Sequence, residues 1–145
     1  MIDFEELLAF ELSVLRDYLK AGHPPLDPQK HRRALLAFFD ETKHVCVRRG
    51  GGLVAYVSVR PQEAGCWFVR GLAIHPEHKN SAVVRGLLHQ FRDLVAHNEI
   101  SVLRSNVFKA NTASVRLHKR LGFKVSRENE LGYEFTLSDL SYFAA

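Results

Sequence analysis

The chain has 145 residues, enough for one domain with a sizeable core, and a formal charge of only +4. A hydrophobic share of 46% with 25% charged residues belongs to an ordinary globular protein and excludes a disordered or fibrous chain. The mild positive charge suits an anionic ligand, but no basic run or arginine–aromatic interleaving points to nucleic acid, and no apolar run approaches a membrane span.

The spacing of Phe4, Leu7, Leu8, Leu15, Tyr18 and Leu19 predicts a first helix over 4–20, with acidic residues at its start. Asp3, Glu5 and Glu6 have the wrong charge for a signal peptide. Gly22 and Pro24-Pro25 close this helix, and Asp27-Pro28 opens a second as N-cap and first helical residue. Leu35, Leu36, Phe38 and Phe39 are expected to form its buried side. Three strands follow, over 44–48, 53–60 and 66–74, separated by Gly50-Gly51-Gly52 and by the turn at 61–65. A helix over 81–97 crosses to a parallel strand over 100–107. Asn111 caps a last helix that runs to Leu121, and strands over 123–126 and 133–137 close the chain as a hairpin. The expected fold is therefore α/β (α+β), with element order ααβββαβαββ and a mixed, mostly antiparallel sheet flanked by four helices in a single domain. Cys46 and Cys66 lie in strand-like apolar runs and read as buried free thiols of a reducing, cytoplasmic compartment; no Cys/His spacing suggests a metal site.

The stretch from Val69 to Leu88 organises the rest. His75-Pro76 ends a strand, and Val84, Leu87, Leu88, Phe91, Leu94 and Val95 then fall on one helical face. Free backbone N–H groups at such a helix start form an anion site, for which phosphate is the usual guest. The strand end Leu72-Ala73-Ile74-His75-Pro76-Glu77 resembles that of the GNAT family of acyl-CoA-dependent N-acetyltransferases. The loop Lys79-Asn80-Ser81-Ala82-Val83-Val84 departs from that family's glycine-rich pattern: Lys79 stands for Gln/Arg, Ala82 for the first glycine and Val84 for a second small residue. Downstream, Asn111, Leu117, Leu121, Gly122 and Phe123 fit the family's second motif, while Ser114 replaces an alanine and His118 a tyrosine.

The resemblance implies acetyl-CoA, or another acyl-CoA, as cofactor, and transfer of its acetyl group to a primary amine in a ternary complex. It implies main-chain contacts to the cofactor arm from Leu72, Ala73 and Ile74. It implies pyrophosphate contacts from Lys79, Asn80, Ser81, Ala82, Val83, Val84 and Arg85. Asn111 stands where the family often touches that arm, and is equally an N-cap. His118 stands where the family's tyrosine gives a proton to the departing thiolate, which a protonated imidazole can also do. The attacking amine needs a base, yet the strand over 66–74 holds no carboxylate; Glu63, Glu77, His75 and His78 lie near its ends. Arg70, on the strand face with Phe68 and Leu72, either steers an acidic substrate or pairs with a carboxylate. Phe38, Phe39, Tyr133 and Phe135 are candidates for an apolar acceptor pocket or for core. The glycine-poor loop, the histidine and the missing carboxylate also fit a second reading, a GNAT fold kept as a binding or regulatory module. Pairing of two copies through sheet edges or the closing hairpin is compatible with either.

Overall fold

A computed structural model describes residues 2–18 and 25–140; Leu19, Lys20, Gly22 and Pro24 of the expected first helix end lie outside them. The helices are α1 (Phe4–Tyr18), α2 (Pro28–Ala37), α3 (Ser81–His97) and α4 (Thr112–Arg120). The strands are β1 (Lys43–Arg49), β2 (Gly52–Glu63), β3 (Cys66–Ile74), β4 (Val102–Phe108), β5 (Lys124–Glu128) and β6 (Gly132–Leu137). They form one six-stranded sheet in the order β1-β2-β3-β4-β6-β5, parallel only between β3 and β4. This is the expected mixed sheet and element order.

Each helix start follows from its sequence. Asp27 accepts hydrogen bonds from the N–H groups of Gln29 and Lys30 ahead of Pro28, Asn80 from Val83, and Asn111 from Ser114. The sheet is covered on both sides. On one side α3 and α4 pack Val83, Leu87, Phe91 and Val95 with Ala55, Val57, Val59, Leu103 and Phe135. On the other, α1 and α2 bring Leu7, Leu8, Phe10, Val14 and Leu35 onto Tyr56. Coverage of both faces explains why β2 is buried at six consecutive positions instead of alternating.

Three expectations need correction. Leu36 and Phe38 are 58% and 42% exposed; Leu35 is the fully buried residue of α2, and Phe38 lies outside it with the Arg60 guanidinium 4.2 Å from its ring centre. The second strand runs on through Pro61 to Glu63. β1 reaches only Val59, so the missing proline N–H costs no β1 ladder bond. Finally, Arg70 and Leu72 do not share a face. The β2–β3 register slips between Ser58–Gly71 and Val59–Val69, which leaves Arg70 as the extra residue of a bulge. Leu72 then packs into the α3 side, while Arg70 reaches α1.

Candidate functional site

The sheet opens between its two parallel strands. β3 and β4 pair from Cys66–Val102 to Val69–Ser105 and no further. Beyond that rung β3 keeps β2 as its neighbour and β4 keeps β6, so the β3 edge from Gly71 to Ala73 has no β4 partner. Three adjoining cavities occupy the opening. An inner one of about 190 Å³ touches Glu11, Arg70, Ser105 and His118. A middle one of about 340 Å³ shares Leu72, Ala73, Asn111 and Ser114 with it. An outer one of about 850 Å³ shares Lys79, Val84, Leu117 and Arg120 with the middle one and adds Asn80, Ser81, Arg85 and Lys124.

The outer end is built for an anion. It lies at the N-terminus of α3, where the helix dipole and the first-turn amides favour negative charge. Four cationic side chains, Lys79, Arg85, Arg120 and Lys124, line it against one carboxylate, Asp139. The Val83 amide is taken by the Asn80 side chain at 3.0 Å, and its side chain is fully buried in the core. Both the amide and the side chain of Val83 are thus engaged within the protein. Ser81 and Ala82 are exposed in the first helical turn.

At the inner end two polar clusters face each other across the sheet. Glu11 of α1 is 3% exposed. Its Oε1 accepts from His31 Nε2 at 2.7 Å and Arg70 Nη2 at 3.1 Å; its Oε2 accepts from the Tyr56 hydroxyl at 2.7 Å and Arg70 Nη1 at 3.1 Å. Burial by itself would raise this carboxyl, but the His31 hydrogen bond, the Arg70 charge and the Tyr56 hydroxyl outweigh it and hold it below its ordinary value. Gly71 makes room for the Tyr56 hydroxyl, which a Cβ there would meet at 2.5 Å.

His118 of α4 is 1% exposed, stacked on Phe135 and edge-on to Phe123. Its Nδ1–H donates to the Ser114 carbonyl at 2.8 Å, which leaves Nε2 to accept from the Ser105 hydroxyl at 2.8 Å. Burial pulls its pKa down from the ordinary 6.5 to about 4, against the backbone bond, so the ring is neutral at pH 7.

This architecture has many counterparts. A model of the acetyltransferase (GNAT) family matches residues 12–123. The chain belongs to the GNAT acetyltransferase family. Among solved structures, the PaiA N-acetyltransferase from Thermoplasma acidophilum, in complex with coenzyme A, superposes with a TM-score of 0.70 at 14% identity, over 94% of this chain and 95% of that one. YncA, a putative acetyltransferase from Salmonella typhimurium with its cofactor acetyl-CoA, gives 0.60 at 19% identity, over 94% and 90%. The ribosomal-protein-S18-alanine N-acetyltransferase from Escherichia coli gives 0.63 at 15%, over 94% and 89%. No curated protein matches the chain in sequence.

Within this GNAT domain, most of the expected cofactor residues come together. Leu72, Ala73, Ile74, Lys79, Val84 and Asn111 line the middle cavity, and Asn80, Ser81 and Arg85 the outer one. His118 lines the inner cavity as a buried ring whose Nδ1–H is given to the Ser114 carbonyl and whose Nε2 meets the Ser105 hydroxyl. The four aromatics miss the inner cavity. Phe135 is core beside His118, Phe39 packs between Phe4 and His44, and Tyr133 leans on Phe135. Sequence reasoning missed Glu11, His31 and Tyr56, which meet only through the fold, and the cations Arg120 and Lys124. A carboxylate on the inward stripe of α1, between Leu8 and Val14, was the one available signal for Glu11.

Proposed function

We propose that the chain transfers an acetyl group from acetyl-CoA to a primary amine by direct attack, with both held in the cleft between β3 and β4. The observation that carries this reading is the end of the β3–β4 ladder at Val69–Ser105, with cations gathered at one end of the opening and a fixed polar cluster at the other. Bound there, acetyl-CoA supplies a thioester carbonyl open to a nucleophile. The main chain of Leu72–Ile74 would hold its amide-bearing arm, and Asn111 would flank it. The first-turn amides of Ser81 and Ala82, with Lys79, Arg85, Arg120 and Lys124, would hold its phosphates. Val84 lines the groove beside Leu72 and Leu117, and the outer cavity reaches the start of α3 at Asn80 and Ser81, which supports binding without the family's glycines. Glu11 stays ionised and fixes Arg70 and Tyr56 at the acceptor end, while His118 fixes Ser105 and ties α4 to β4. The free thiols of Cys46 and Cys66 suit a reducing, cytoplasmic setting.

A second reading, a GNAT fold without transfer, is favoured by one observation: the α4 position that should hold a proton donor holds a buried neutral imidazole. Calorimetric titration with acetyl-CoA, with CoA and ATP as controls, is the first test. Micromolar binding weakened severalfold by Arg120→Glu, followed by thiol release on addition of amines, is the expected result. Binding without thiol release from any amine favours the second reading. No binding at millimolar acetyl-CoA overturns the transfer of acetyl from acetyl-CoA and leaves the second reading, with longer acyl-CoAs and protein partners as its next ligands.

A further inference from the structure

We infer that the acceptor is an amino acid or similar molecule, carrying beside its primary amine a carboxylate that binds Arg70. This rests on the transferase reading above and concerns the inner end of the same cleft. Among the described residues the inner cavity touches a single carboxylate, that of Glu11. A carboxylate offers about four lone-pair sites, and those of Glu11 receive four donors: His31, the Tyr56 hydroxyl and two N–H groups of Arg70. It has no position left for a substrate ammonium, so a polycation finds no anchor in it.

Arg70 is in the opposite condition. A guanidinium carries five N–H donors, and Glu11 occupies one on each terminal nitrogen. The other three have no partner among the described residues, although the side chain is only 16% exposed and forms part of the cavity wall. A guanidinium that lines a cavity with donors beyond those given to Glu11 suits an acceptor-rich ligand, and a carboxylate is the group that fits a guanidinium fork. The position is local to the chemistry: Arg70 is the first residue beyond the last β3–β4 rung, on the bulge that turns it away from the core side. Gly71 beside it lets the Tyr56 hydroxyl close on Glu11, which completes the set of donors on that carboxylate.

The test compares matched sets: amino acids, their carboxamides, and the amines left when the carboxylate is removed. Binding of each is measured by calorimetry on the free protein and on the protein saturated with CoA. The expected result is that carboxylate-bearing members bind at least about tenfold more tightly than both analogues, a difference of roughly 1.4 kcal/mol. In Arg70→Lys, which keeps a charge beside Glu11 but loses the fork, the preference should shrink severalfold while acetyl-CoA affinity is unchanged. Equal affinity across a set, preference for the decarboxylated amines, or no binding by any member overturns the inference; the panel on the unaltered protein decides this even if the variant fails to fold. Transfer to amines without carboxylate preference overturns the inference alone. Carboxylate binding in a protein that does not bind acetyl-CoA overturns the transferase reading alone.

Discussion

Glu11 on one side of the sheet and His118 on the other are both almost wholly removed from water, yet one keeps its charge and the other gives it up. The partners decide. Glu11 meets a guanidinium fork, an imidazole and a phenol, all of which favour the ionised form. His118 meets a carbonyl and a hydroxyl, which a neutral ring satisfies with one donor and one acceptor. Burial alone thus neutralises, and burial with matched counter-groups does not.

The largest effect should come from breaking the charged cluster. Arg70→Met leaves the Glu11 carboxylate buried beside an apolar side chain, and a loss of about 3–5 kcal/mol is expected in urea unfolding. Glu11→Leu combined with Arg70→Met should recover most of it, because no buried charge is then stranded. If the double variant is no more stable than Arg70→Met, the cluster is held together by something other than its charges.

Acid separates the two clusters next. His118 binds no proton in the folded state until pH nears 4, whereas the unfolded chain takes one up near 6.5. Stability should therefore fall as pH drops from 6.5 to about 4, by at most roughly 3 kcal/mol. Glu11 has a depressed folded value, so its contribution is present above the ordinary carboxylate range and is lost only as pH falls through that lower value. His118→Phe should make the first segment shallower, leaving the part due to His44, whose pKa burial also lowers, and should leave the second in place. A profile unchanged by that substitution would mean that the ring is not held neutral.

A third comparison lies within the charged cluster. Gly71→Ala brings a methyl against the Tyr56 hydroxyl and should cost about 1–3 kcal/mol. Placed on Tyr56→Ala, the same change should cost measurably less, since the hydroxyl and the ring carbons that the methyl would meet at 2.8 and 3.0 Å are all gone. Additive losses would show that Gly71 answers to the bulge and not to the tyrosine.

How legible these two clusters were in the sequence differs for a physical reason. His118 sits inside a motif of residues on one helix and the turn after it, so a local reading finds its position. Its burial against Phe135 and Ser105 comes from other strands, so the same reading does not give its surroundings. Glu11, His31, Tyr56 and Arg70 come from two helices and two strands, and no spacing announces them. The strands and the helix caps at Asp27, Asn80 and Asn111 depend on neighbours in the chain and were legible. The bulge at Arg70 was not, because alternation alone carries no mark of an extra residue.

The smallest effect tests Asn111, which has two readings that a single deletion confounds. Its side chain caps α4 through the Ser114 amide at 3.2 Å and also borders both the inner and the middle cavity. Asn111→Ala removes both functions and should cost about 1 kcal/mol of stability through the cap alone. Asn111→Ser retains a capping oxygen but has no amide nitrogen to offer a ligand. Stability close to that of the unaltered protein, with acetyl-CoA affinity severalfold weaker, is the expected result for the serine variant. Unchanged affinity in that variant would make Asn111 a cap and nothing more. The cofactor arm would then rest on the β3 main chain, where substitution of side chains cannot reach it.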